Sequence, residues 1–170
     1  MNGNASGPDV SAGDRFAVPQ DLSDWVDKPV LLQWILEEVD TLDWSNPELV
    51  QILQANPAFQ PRFYLVLLIY AYALGRFESD DVIETYFGEA GLKRLFPGQD
   101  PRTAGIRRFR RDYRGLLRWG LGQVLKRALR FRFEVDDATT LPAGLNRLMV
   151  VAATARLDAA RHFDRSSEGA

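Results

Sequence analysis

Five arginines, Arg107, Arg108, Arg110, Arg111 and Arg114, fall within eight positions, with Asp112 the one acid among them. A guanidinium group is planar, permanently charged and donates in a fork that fits two oxygens at once. This density therefore suits binding of phosphate or carboxylate oxygens. On a 3.6-residue period Ile106, Phe109, Tyr113, Leu116, Leu117, Leu121, Val124, Leu125 and Ala128 form one apolar stripe, and the five arginines with Arg118 lie off it. The pattern predicts a long helix within 100–133, its apolar side buried and its arginines facing solvent. The bland reading of such a block is a solvated helix face. Solvated arginines, however, normally alternate with glutamates in i to i+4 pairs, and those are missing here. The densest ordered anion array such a face can meet is a nucleic-acid backbone, so DNA is the expected partner. Arg102 and Thr103 fall at the expected helix start, where base edges are usually read, and Lys93 and Arg94 are placed to hold backbone. The candidate DNA-binding set is Lys93, Arg94, Arg102, Thr103, Arg107, Arg108, Arg110, Arg111 and Arg114.

Residues for bond-making chemistry are sparse. There is no cysteine and a single histidine, His162, so thiolate or zinc sites are not expected, and a Ser-His-Asp arrangement would rest on a histidine near a polar C-terminus. Glu37-Glu38 and Asp80-Asp81 are adjacent pairs, which point in different directions on a helix and form no two-carboxylate site. Gly120 and Gly122 lack the third glycine and the preceding strand of a phosphate-cradling loop. No catalytic residue, metal or cofactor is expected.

The net charge of -2 hides a segregation of signs. Residues 1–60 carry net -8 and residues 61–92 net -3, whereas residues 93–132 hold thirteen basic and two acidic side chains, net +11, and residues 133–170 net -2. A second reading follows: the basic block 93–132 docks on an acidic surface, such as the N-terminal segment of its own chain or of a second copy, as an interaction or oligomerisation module. Arginines outnumber lysines eighteen to three, in keeping with bidentate contacts.

The elements that must position these residues read as all-α, a compact multi-helix domain over 21–163 with a helix-turn-helix-like pair. Residues 1–20 are rich in Gly, Ser, Asn and Pro and read as a disordered lead without a secretory signal, which points to the cytoplasm. A helix follows Pro29 with Val30, Leu31, Trp34, Ile35 and Val39 on one face, and a short one is expected from Asn46-Pro47-Glu48 to about Gln54. From Phe63 twelve apolar residues run to Leu74, too few for a membrane span of about 20 and closed by Gly75. This is the expected central buried helix, with Tyr64, Tyr70 and Tyr72 as core residues. Ser79-Asp80-Asp81 caps a further helix, and Asp100-Pro101 restarts the helix after Pro97-Gly98, with Asp100 as its expected cap. The arginine helix is expected to bend at Gly115, Gly120 or Gly122. The alternation of Phe131, Phe133 and Val135 admits one short strand over 131–136. A final helix from Pro142 to His162, carrying Leu145, Leu148, Met149, Ala152 and Leu157, precedes a loose polar tail over 164–170.

The blocks Pro61-Arg62, Leu65 to Gly75, Ser79 to Thr85, Leu92 to Phe96, Asp100 and Arg108-Phe109-Arg110-Arg111, in that order, resemble the N-terminal helical domain of DDE-type insertion-sequence transposases. The lead-in from Leu31 to Asp43 is similar as well, and the likeness spans roughly residues 17 to 126. The resemblance implies DNA binding in the service of transposition and recombination. Such transposases continue into a ribonuclease-H-like domain whose three acids hold two divalent metals. Asp137-Ala138-Thr139 resembles the opening aspartate-glycine-threonine of that domain, with alanine in place of glycine, but the 33 residues after Asp137 cannot supply the other ligands. Asp137 is therefore expected to be a turn residue. The resemblance implies a truncated or repurposed binding module, working as a homodimer or with a separately encoded catalytic subunit.

Overall fold

The computed structural model describes residues 18–43, 45 and 60–168. Among them are seven α-helices and no strand: α1 (Lys28–Asp40), α2 (Pro61–Ala73), α3 (Ser79–Gly88), α4 (Ala90–Leu95), α5 (Thr103–Asp112), α6 (Arg114–Arg132) and α7 (Ala143–Glu168), with a 3-10 turn at Leu22–Asp24 ahead of them. No helix among the described residues is long and apolar enough to cross a membrane. The lead over 1–17 and the short helix expected over 46–54 lie outside the described residues.

Helix α2 is the axle. Pro61 occupies its first turn, where a missing N–H leaves nothing unpaired, and every residue from Leu65 to Ala73 is buried. Burial on all sides requires neighbours on all sides, and α1, α3, α5 and α6 supply them. The helix ends in a left-handed residue, Gly75 (φ 77°), with Arg76 N donating to Ala71 O at 2.9 Å and Gly75 N to Tyr72 O at 3.1 Å. Only glycine fits there: a side chain would strain φ and press a Cβ to 2.8 Å from the Gln20 carbonyl oxygen. Tyr70 and Tyr72 are core residues, and Tyr64 is half-buried, stacked on Phe109 at 5.5 Å.

The arginine stretch is two helices. The break falls at Tyr113 (φ -116°, ψ 29°), two residues before the first glycine, and its ring packs on Phe109 at 4.6 Å. The glycines stay inside α6. Gly120 allows α6 to close on α2, since a methyl group there would overlap Ile69 Cδ1. The apolar stripe behaves as the period requires, with Ile106, Phe109, Leu117, Leu121, Val124, Leu125 and Ala128 buried and Tyr113 and Leu116 packed at the edge.

Residues 131–136 are not a strand. Helix α6 continues to Arg132 and closes on Glu134, a non-glycine residue at φ 53°, with Val135 N donating to Arg130 O at 2.9 Å. The alternation of Phe131, Phe133 and Val135 belongs to this helix end. Asp137 is exposed in the turn that follows. Helix α7 then runs past His162 to Glu168, so the tail expected to be loose is helical there, and it packs along α6. Its buried face is Met149, Ala153, Arg156, Leu157 and Ala160, while Leu148 is 47% exposed.

Two expected helix caps are also absent. Ser79 is the first residue of α3 instead of its cap, and α5 starts from Arg102 with no side-chain cap, leaving Asp100 to accept from Arg102 Nη2 at 2.6 Å. The turn between α4 and α5 is held by Tyr86 instead, whose hydroxyl donates to Phe96 O at 2.7 Å and accepts from Gln99 N at 3.2 Å.

Candidate nucleic-acid interface

Position 110 lies four residues after buried Ile106, and a 3.6-residue period returns it to the core side of α5. Arg110 is buried at 6% exposure, which corrects the expectation that it faces solvent. Its Nε donates to Asp164 Oδ2 at 2.7 Å and its Nη2 to Asp164 Oδ1, a bidentate pair between α5 and α7. Nη1 donates to Phe77 O at 2.7 Å and to the Tyr72 hydroxyl at 3.4 Å, and Nη2 also reaches Ser79 Oγ at 3.3 Å. Burial works against the Arg110 charge, but the hydrogen bonds to Asp164 and Tyr72 outweigh it and raise its pKa. Burial likewise pushes the Tyr72 hydroxyl up to about 12, with Arg110 acting in the opposite sense. Arg110 is thus a clamp joining four parts of the chain.

The other arginines of the set are only partly free. Arg107 Nε lies 3.2 Å from Asp164 Oδ1 without making a hydrogen bond, and it is a buried donor with no acceptor. Arg114 Nη2 donates to Asp158 Oδ1 at 2.6 Å, and Arg111 Nε to the neighbouring Asp112 at 3.1 Å. Arg108 lies 3.7 Å from Asp112. All but Arg110 keep solvent contact, and the exposed pairs of Arg108, Arg111 and Arg114 with Asp112 and Asp158 contribute at most about 1 kcal/mol each.

All of these arginines except Arg108 border a cavity of about 360 Å³ bounded by α5, the start of α6 and the C-terminal half of α7. Arg107, Arg110, Arg111, Arg114, Arg161 and Arg165 line it with Tyr72, Leu157, Ala160 and one carboxylate, Asp164. Arg165 falls beyond the helix end expected at His162, and Arg161, inside that helix, shows no local pattern that ties it to the 107–114 cluster. Their i to i+4 spacing after Leu157 signals only that the two share a face of α7. Lys93, Arg94, Arg102 and Thr103 are not part of this cavity lining. Lys93 and Arg94 stand exposed on the last turn of α4, Arg102 is paired with Asp100 ahead of α5, and Thr103 is the half-buried first residue of α5.

The rest of the basic block does structural work. Arg127 donates to Glu38 Oε1 at 2.7 Å and to Glu37 Oε2, fastening α6 to the acidic side of α1. The hydrogen bond from Arg127, helped by one from Gln33, lowers the Glu37 pKa. Arg130 Nη1 donates to Asp136 O at 2.7 Å and steadies the turn after α6. Part of the positive block therefore meets the acidic segment within one chain. Among the described residues no three His, Asp or Glu side chains gather as a metal site.

The chain matches no known protein family, no curated protein and no solved structure.

Proposed function

We propose that this protein is a DNA-binding module whose phosphate contacts are made by the arginine cleft between α5, α6 and α7. The observation that carries the reading is six guanidinium groups from three helices facing one carboxylate among the lining residues. Arg110 is the internal support, and Arg107, Arg111, Arg114, Arg161 and Arg165 are the contacts. Lys93, Arg94, Arg102 and Arg108 extend the basic surface along the duplex, with Thr103 at the start of α5. The resemblance to transposase N-terminal domains supports DNA as the polyanion. The interaction-module reading has a specific contact in its favour, Arg127 on Glu37 and Glu38, but that contact is satisfied within the chain and uses none of the cleft arginines.

Neutralising about five phosphates gives a slope of about -4.5 for log K against log salt. Fluorescence anisotropy with a 20-base-pair duplex across a salt series measures it. A flat response would remove backbone binding from the account.

A further inference from the structure

We propose that the arginine cleft is a pocket for a terminal phosphomonoester, a phosphate dianion carried on the end of a chain or on a single nucleotide. This rests on the DNA-binding reading for one of its two sources, the end of a DNA strand, and stands independently of it for the other.

Three observations point beyond an ordinary backbone contact. The first is shape. An internal phosphodiester is flanked by sugars on both sides and suits an open ridge, whereas this site is a cavity of about 360 Å³ with Tyr72 and the Arg110–Asp164 pair among its walls. That volume is near the lower end of small-ligand pockets, enough for one phosphate and little beyond its attached sugar. The second is an unmet donor. Arg107 Nε makes no hydrogen bond among the described residues, and the carboxylate oxygen 3.2 Å from it, Asp164 Oδ1, is already bonded to Arg110, so the Arg107 guanidinium is served only by a shared counter-charge. The third is charge. Arg161 and Arg165 stand one turn apart on α7, and like charges at that spacing repel. Among the described side chains, which end at Ser166, neither has an ion-pair partner, and Asp164, the single carboxylate among the lining residues, is already held by Arg110 and lies beside Arg107. A monoester carries close to two negative charges at neutral pH and three terminal oxygens, against one charge and two such oxygens for a diester. It therefore answers both the excess charge and the unmet donor better. Leu157 and Ala160 give the cavity an apolar side against which a sugar can lie.

The test compares two 20-base-pair duplexes carrying an internal dye, one with 5′-phosphates and one with 5′-hydroxyls, at a fixed salt concentration. The 5′-phosphorylated duplex is expected to bind about tenfold tighter, the increment of one additional charge-assisted contact. Deoxyadenosine 5′-monophosphate is expected to compete that increment away, and deoxyadenosine is not. Arg161→Gln, with helical circular dichroism verifying the fold, is expected to remove the difference between the duplexes. Equal affinity for both duplexes together with a steep salt dependence overturns the pocket and leaves DNA binding standing. Binding of the monophosphate without binding of either duplex supports the pocket and removes the DNA reading. Binding of neither monophosphate nor duplex overturns both.

Discussion

Replacing Asp164 with asparagine is expected to lower the stability of the fold by about 3 kcal/mol, because it leaves a buried guanidinium without its counter-ion. Arg110 is 6% exposed and gives two of its donors to that carboxylate. An amide can accept one such bond but turns an NH2 toward the other. Breaking one side of a buried ion pair costs more than deleting the pair, so Arg110→Met combined with Asp164→Leu is expected to lose less than either single change. Asp158→Asn supplies the contrast: its carboxylate, also bonded to an arginine, is 61% exposed, and its loss is expected to cost no more than about 0.5 kcal/mol. Urea denaturation reads all five variants. If Asp164→Asn unfolds with the wild-type midpoint, Arg110 is not the clamp its hydrogen bonds suggest, and the cleft lacks a rigid floor.

The second large effect is expected at Arg156, which is buried with no carboxylate in contact among the described residues. Its Nη1 donates to Gln20 O at 2.7 Å and to the carbonyls of Tyr72 and Ala73, and its Nη2 donates to Pro19 O at 2.7 Å. Two of these carbonyls end α2, where the negative end of the helix dipole lies, and the other two, of Pro19 and Gln20, belong to the irregular stretch before the 3-10 turn. Burial drags the Arg156 pKa down to about 10, only partly offset by the charge of Asp21, yet the group remains cationic at neutral pH. Arg156→Met is expected to cost about 3 kcal/mol by stranding these acceptors, and Arg156→Lys most of that, since one ammonium cannot span the same four oxygens. Limited proteolysis adds a local readout. Cleavage near residues 18–20 should rise in Arg156→Met at temperatures where the rest of the fold is intact, and unchanged cleavage would mean that the segment is held by something else.

What could be read from residue order alone was whatever depends on near neighbours. Twelve consecutive apolar residues can only be the inside of something, and α2 is inside everything. Pro29 and Pro61 mark helix starts because their missing N–H is harmless only there, and both stand in first turns. The stripe from Ile106 to Ala128 named the buried side of α5 and α6 almost residue by residue. The failures share a different cause. Arg110 and Arg156 are buried cations whose acceptors lie 31 to 137 positions away along the chain, and no local pattern announces such a distance. Glu134 takes a left-handed conformation usually left to glycine, so the end of α6 carried no visible stop and its last residues imitated a strand. The polar run after His162 resembled a tail because the contact that orders it, Asp164 with Arg110, is a tertiary one.

The same distinction applies to the site. Arginine content along residues 107–114 was legible, but its division of labour was not: one side chain became scaffold, the others kept access to solvent, and two more joined them from α7. A charged block read as a single exposed face is, in three dimensions, a cleft at one end of the α5–α6 pair and a set of internal ties at the other.

The measurement that bears most directly on this account is DNA affinity after charge reversal inside the cleft. Arg111→Glu with Arg165→Glu is expected to weaken duplex binding by about a hundredfold at moderate salt, with helical circular dichroism unchanged, while Arg132→Glu at the far end of α6 shifts it no more than about twofold. Wild-type affinity in the doubly reversed protein, or an equal loss in Arg132→Glu, would contradict the assignment of the cleft as the phosphate-binding surface.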